Sequence, residues 1–153
     1  MSQSSASAGR RVPRVLLVLA GLVVVVLVAL QFVRFFVPQF ALDNPPVTHE
    51  VVWSSAEGEQ LWRAACADCH SNETVYPWYS YVAPVGWLVA KDVHDGRREF
   101  NVSTNSRVEW DEMIEQIERG EMPLPVYLPM HPEANLTDAQ KETLMTAIRD
   151  TFR

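Results

Sequence analysis

Residues 61–70 read Leu61-Trp62-Arg63-Ala64-Ala65-Cys66-Ala67-Asp68-Cys69-His70, and this stretch decides the architecture. Leu61, Trp62, Ala65 and Cys66 fall at helical spacing. Ser54 or Ser55 offers an N-cap, and Glu57 and Glu59 lie in the first turn. The pattern predicts a helix from about Ala56 to about Cys69 that turns both thiols to one side.

Beyond it, Ser71 to Pro84 is rich in Tyr and Pro and reads as irregular backbone, with Asn72, Pro77 and Pro84 as breakers. Pro84 suits the start of a second helix through Val93, which Gly96 is expected to stop. Residues 99–107 read as loop. Trp110, Met113, Ile114 and Ile117 form an i, i+3, i+4, i+7 stripe, so Val108 to Arg119 is expected to be a third helix ending at Gly120. Glu121 to Asn135 holds four prolines and cannot be regular. Thr137 with Gln140 forms a capping-box pattern that opens a last helix through Leu144, Ala147, Ile148 and Thr151. Four helices and no convincing strand make this an all-α domain.

On the N-terminal side, Val15 to Leu30 is a run of sixteen apolar or small residues, extended past Gln31 and Arg34 by Phe35, Phe36 and Val37. This is close to the ~20 residues with which a helix crosses a bilayer, and Arg34 can snorkel to the headgroups. Arg10, Arg11 and Arg14 precede the run, so the positive-inside rule leaves residues 1–14 in the cytoplasm and everything after residue 40 outside. A cleaved export signal shares the basic start but calls for a small-x-small exit; Phe35 to Ala41 is bulky, which favours an uncleaved single-pass anchor over residues 15–37. Pro38 to Thr48, with three prolines, reads as an extended spacer within a linker of residues 38–50 that lifts a domain of residues 51–153 off the membrane. Residues 41–153 hold nine basic and nineteen acidic residues, a net charge of −10. That balance argues against a nucleic-acid partner.

Two cysteines at i and i+3 followed at once by histidine form the c-type haem attachment pattern. Each thiol of Cys66 and Cys69 can form a thioether to a haem vinyl group, and His70 can be the proximal iron ligand. A disulfide, a thioredoxin-like pair or a zinc site would use some of the same residues. The redox pair needs a βαβ context that is absent, and zinc needs a fourth Cys or His although the chain has two cysteines only. For the sixth iron ligand the stretch Gly120-Glu121-Met122-Pro123-Leu124-Pro125 offers Met122 on a Pro-stiffened loop. Met/His ligation raises the reduction potential. Met122 can also be read as a core gap-filler, and Met130 and His131 are its rivals; His94 and His49 are weaker candidates. Tyr76, Trp78, Tyr79, Tyr81, Trp87, Trp110 and Tyr127 read either as haem pocket or as ordinary core. Arg97 and Arg98 suit haem propionates or a solvated surface, the latter being the commoner case.

These residues resemble a known family. Cys66 to Thr74, Tyr76-Pro77-Trp78-Tyr79, Ala83 to Leu88, Asp95-Gly96-Arg97, Asn101, Gly120 to Pro125, Tyr127 and His131 to Ala134 together are similar to the bacterial haem-binding domain family, itself related to class I cytochromes c. The resemblance covers roughly residues 45–150. It implies a small cytochrome c-like helical domain with one covalently attached haem c, exported behind an N-terminal hydrophobic helix, with Cys66, Cys69 and His70 in attachment and ligation. It makes Met122-Pro123 similar to the axial methionine segment and keeps His131-Pro132 as a rival. Gly86 departs from the pattern, where Ser or another small polar residue is expected.

The leading functional reading is a membrane-anchored monohaem c-type cytochrome carrying electrons on the periplasmic side of the bacterial inner membrane, without a catalysed substrate reaction. Its redox partner protein is not legible. The alternative is a haem-based ligand sensor or peroxidase-like protein with a displaceable sixth ligand.

Overall fold

The computed structural model describes residues 13–104 and 109–153; the expectations placed on Arg10, Arg11 and Val108 lie outside the described residues. Among the described residues the protein is all-helical, with no strand. Helix α1 spans Arg14–Leu30 and passes into a 3-10 turn at Val33–Phe35. Together Arg14–Phe35 form a 22-residue segment that contains an 18-residue window of mean hydropathy 3.0, long and apolar enough to cross a membrane, with no buried side chain. The α-helix stops at Leu30 because Gln31 turns back. Its amide nitrogen donates to the Leu27 carbonyl at 2.9 Å, and its amide oxygen accepts the Ala83 backbone N–H at 2.9 Å.

The segment after α1 is not a free spacer, contrary to the sequence expectation. Pro38–Phe40 form a 3-10 turn whose Phe40 ring stacks on Trp87 at 5.6 Å. Further along, Asn44 bonds to Thr74 through both its amide nitrogen and its oxygen, the Pro46 carbonyl accepts from Asn72, and Thr48 donates to the Ser103 carbonyl. The prolines hold this stretch extended as expected, but its carbonyls satisfy donors of the domain, so it lies along the surface.

Helix α2, Ala56–Ala65, starts at an Ser55 cap that accepts the Gly58 N–H. The expected single helix through Cys69 is broken at Cys66 (φ −129°, ψ −35°), and a short α3 follows at Ala67–His70. Tertiary hydrogen bonds to Asp68 explain the break. Its carboxylate accepts from Val75 N at 2.8 Å and from the Tyr127 hydroxyl at 2.8 Å, and its carbonyl accepts from Thr74 Oγ1 at 2.6 Å. These draw the turn off the α2 axis.

Helix α4 runs Val85–Glu99, straight through Gly96, so Gly96 is not a helix stop. Its lack of a side chain serves packing: a Cβ there would lie 2.6 Å from the Cys69 carbonyl oxygen. Gly86 is required for a similar reason, since a Cβ would lie 2.2 Å from the carbonyl oxygen of Ser80. The serine expected at that position does not fit. The irregular stretches are as expected in outline but contain 3-10 turns at Trp78–Tyr81, Val102–Thr104, Leu128–Met130 and Pro132–Ala134.

Helix α5, Trp110–Glu118, ends in a Schellman arrangement. Gly120 takes φ +69° while its N–H donates to the Ile117 carbonyl, and the Glu121 N–H donates to that of Gln116. Helix α6, Asp138–Phe152, begins with the expected Thr137–Gln140 capping box. Leu61, Trp62 and Ala65 of α2, Met113, Ile114 and Ile117 of α5, and Leu144, Met145 and Ile148 of α6 form one buried core. Leu144 and Ile148 are fully enclosed, each contributing roughly 1.5–3 kcal/mol. Helices α2 and α6 approach so closely that a Cβ on Gly58 would lie 2.1 Å from that of Ala147.

Candidate functional site

Between α2, α3 and α5 lies a cleft of about 270 Å³. Trp62, Ala65, Met113 and Ile117 give it an apolar wall; Cys66 and His70 enter from the α2–α3 turn, and Met122 enters from the loop after α5. The Schellman turn places Met122 there: the Met122 N–H, like that of Glu121, is held by the Gln116 carbonyl, which folds the chain back toward the cleft.

His70 is buried, with its ring stacked on Phe100 at 3.9 Å between centroids. Its Nδ1 lies 3.0 Å from the Gly96 carbonyl oxygen and 3.4 Å from that of Phe100. A carbonyl oxygen only accepts, so Nδ1 carries the proton and Nε2 keeps its lone pair free for a metal. Burial lowers the pKa of His70, against the opposing pull of the two carbonyls, and so keeps the ring neutral. This is the tautomer and charge state of an iron-ligating imidazole.

Cys66 and Cys69 are half-buried thiols that are not joined to each other. Burial pushes Cys66 up to about 12, reinforced by Cys69. Burial also pushes Cys69 up to about 12, reinforced by Asp68 and Asp92 and opposed by Arg97. Cys66 is in the cleft wall, whereas Cys69 is set against Gly96 of α4.

The rivals for the sixth position lie elsewhere. Met130 is 57 % exposed. His131 stacks on Tyr127 at 3.7 Å, its Nε2 shares a 2.6 Å hydrogen bond with the Tyr79 hydroxyl, and its Nδ1 is 3.2 Å from Glu133. His94 is exposed beside Asp95, and the backbone N–H of His49 donates to Ser103. Among the described residues no group of three or more His, Cys, Asp or Glu is placed to hold a metal ion.

Sequence reasoning missed several parts. Phe100, which backs His70, carried no motif. Glu99, Glu109 and Glu112 also line the cleft, and no motif pointed to them. Arg97 neither points to a propionate nor lies free in solvent: its guanidinium donates to the carbonyls of Ser71 and Asp43, to Asn44 Oδ1 and to Thr74 Oγ1. It ties α4 to the segment after α3 and to the docked N-terminal stretch. Arg98 is exposed and faces Asp95. Of the aromatics read as haem pocket or as core, Trp110 and Tyr127 pack against the core and Trp78 and Tyr81 are exposed, while the cleft is lined by Trp62 and Phe100.

A family model described as a haem-binding domain matches residues 25–150, most of the chain. This chain belongs to the haem-binding domain family. The match begins inside α1 and runs into the last turn of α6, so it spans the cleft and every residue in its walls. Comparisons with curated proteins and with solved structures find no match. The cleft's donor set suits haem: a neutral imidazole with Nε2 free, a thioether from the α5 side, a thiol at the rim and an apolar wall.

Proposed function

We propose that this haem-binding protein is a monohaem c-type cytochrome related to class I cytochromes c, anchored in the bacterial inner membrane and passing electrons on its periplasmic side. The observation that carries this reading is the convergence of Cys66, His70 and Met122 on one apolar cleft. Haem bound there would supply a reversible one-electron couple at iron. Cys66 and Cys69 would hold it through thioether bonds, Cys69 turning from its place against Gly96. His70, fixed by Gly96 and Phe100, would offer Nε2 as the proximal ligand, and Met122 would offer its sulfur as the distal one.

Trp62, Ala65, Met113 and Ile117 exclude water from the site and are held rigidly in the core, which keeps the surroundings alike in both oxidation states. His131, the histidine considered for a distal group, is engaged by Tyr79, Tyr127 and Glu133 and does not line the cleft, whose carboxylates are those of Glu99, Glu109 and Glu112. That arrangement supports an electron carrier over a sensor or peroxidase.

The test is an optical spectrum of the purified, haem-loaded chain, with carbon monoxide added to the reduced form, repeated for Met122→Ala, Met130→Ala and His131→Ala. The proposal expects a low-spin parent that binds carbon monoxide slowly, and a high-spin, fast-binding Met122→Ala alone. A high-spin parent moves the reading to ligand sensing or peroxide reduction.

A further inference from the structure

The domain carries an exposed apolar segment with no charged side chain of its own. From Val75 to Ala90 the sequence contains no Asp, Glu, Lys or Arg, although the part of the chain beyond residue 40 is strongly acidic. Within this stretch large side chains stand in the open: Trp78 is 74 % exposed, Tyr81 53 %, Val85 49 % and Leu88 47 %. Trp78 and Tyr81 are three apart in a 3-10 turn, where such side chains eclipse. Val85 and Leu88 are three apart on α4 and share a face.

This face adjoins the end of the apolar helix. The Arg34 guanidinium lies over the Tyr81 ring, 5.6 Å from its centroid, and Gln31 accepts the Ala83 N–H. Gln31, Arg34 and Phe40 enclose a small hollow together with Tyr81, Ala83 and Trp87. Depth follows from the helix rise. At ~1.5 Å per residue, a span starting at Arg14 covers a hydrocarbon core of ~30 Å by about residue 34. Gln31 and Arg34 are then at the outer boundary of the hydrocarbon, and Ala83 and Tyr81, which contact them, are at the same level.

We propose that the face formed by Trp78, Tyr81, Val82, Val85 and Leu88 rests in the lipid interface of the bilayer that holds α1. The domain is thereby seated on the membrane in one orientation instead of swinging on a tether. Trp and Tyr favour this interfacial depth, with an apolar ring in the lipid and a polar end in the headgroups. An acidic domain can lie against anionic headgroups only on a surface free of carboxylates. The inference rests on the membrane-spanning reading of α1 but not on the haem chemistry.

The experiment uses the full chain in nanodiscs of phosphatidylethanolamine and phosphatidylglycerol with a fraction of photoreactive phospholipid. After illumination, lipid adducts are mapped by mass spectrometry. The expected result is adducts both on residues 14–36 and on the segment from Trp78 to Leu88, with the second set lost and the first kept in Trp78→Ser/Leu88→Asn. Both substituted side chains are exposed, so the variant keeps its fold, which its circular dichroism checks. Adducts confined to residues 14–36 overturn the inference, including the case in which native membranes yield a protein cross-link on this face. Absence of adducts on both segments overturns the membrane-spanning reading as well.

Discussion

Gly96→Ala opposes the ordinary rule for glycine in a helix. Within α4, three residues before its end at Glu99, replacing glycine by alanine should add up to about 1 kcal/mol of stability from helix propensity alone. The structure reverses the sign. The new Cβ would lie 2.6 Å from the Cys69 carbonyl oxygen and 3.0 Å from the Cys69 Cβ, where ordinary contact begins at 3.4 Å, so α3 must retreat from α4 by about 0.8 Å. Both contacts involve backbone or its first side-chain atom, which cannot swing aside. Overpacking of this kind costs ~1–3 kcal/mol. The net change is then a loss of up to ~2 kcal/mol, and for a domain of ~100 residues the midpoint falls by ~4–8 °C per kcal/mol. The retreat also lengthens the 3.0 Å bond from His70 Nδ1 to the Gly96 carbonyl, so the haem-loaded variant should show a disturbed spectrum before it unfolds. Thermal unfolding followed by circular dichroism, on parent and variant in the same detergent, measures the effect. A Gly96→Ala protein as stable as its parent, or more so, refutes the packing argument.

Tyr127→Phe removes the hydroxyl that donates to Asp68 and should cost about 1 kcal/mol at neutral pH, the site being partly solvated. Burial, and after it the bond to Asp68, holds the Tyr127 phenol above its ordinary value. The folded chain therefore keeps a proton that the unfolded chain releases above about pH 10, so this stabilisation is full below pH 10 and declines as the pH rises beyond it. Urea titrations across that range should show parent and variant converging in alkali. Arg97→Ala leaves the buried Ser71 carbonyl without its donor and frees the segment around Asp43 and Asn44, for a loss of ~2–3 kcal/mol. Arg97→Lys should recover little of it, because an ammonium cannot span four acceptors as a planar fork does; hydrogen exchange of residues 41–48 reports the release directly.

What the sequence disclosed followed from local chemistry. Ser55 and Thr137 capped their helices, Gly120 took the left-handed turn, and the stripe from Trp110 to Ile117 faced the core, since each of these is decided by a few neighbouring residues. Gly96 and Gly86 misled because their role is set by residues remote in sequence, Cys69 and Ser80. The break at Cys66 was hidden likewise, for it depends on Tyr127 reaching Asp68 from 59 residues away. At the cleft, Cys66, His70 and Met122 were legible from motif and loop character. Phe100 and Arg97 were not, because stacking and a multi-armed clasp leave no spacing pattern behind.

The central claim is a covalent bond between the chain and its haem. Protein made in cells competent for cytochrome maturation, digested and weighed by mass spectrometry, tests it most directly. The account predicts that the peptide holding Cys66 to His70 carries the mass of one haem and that acidified organic solvent extracts none. An unmodified peptide, with the pigment released into the solvent, contradicts it.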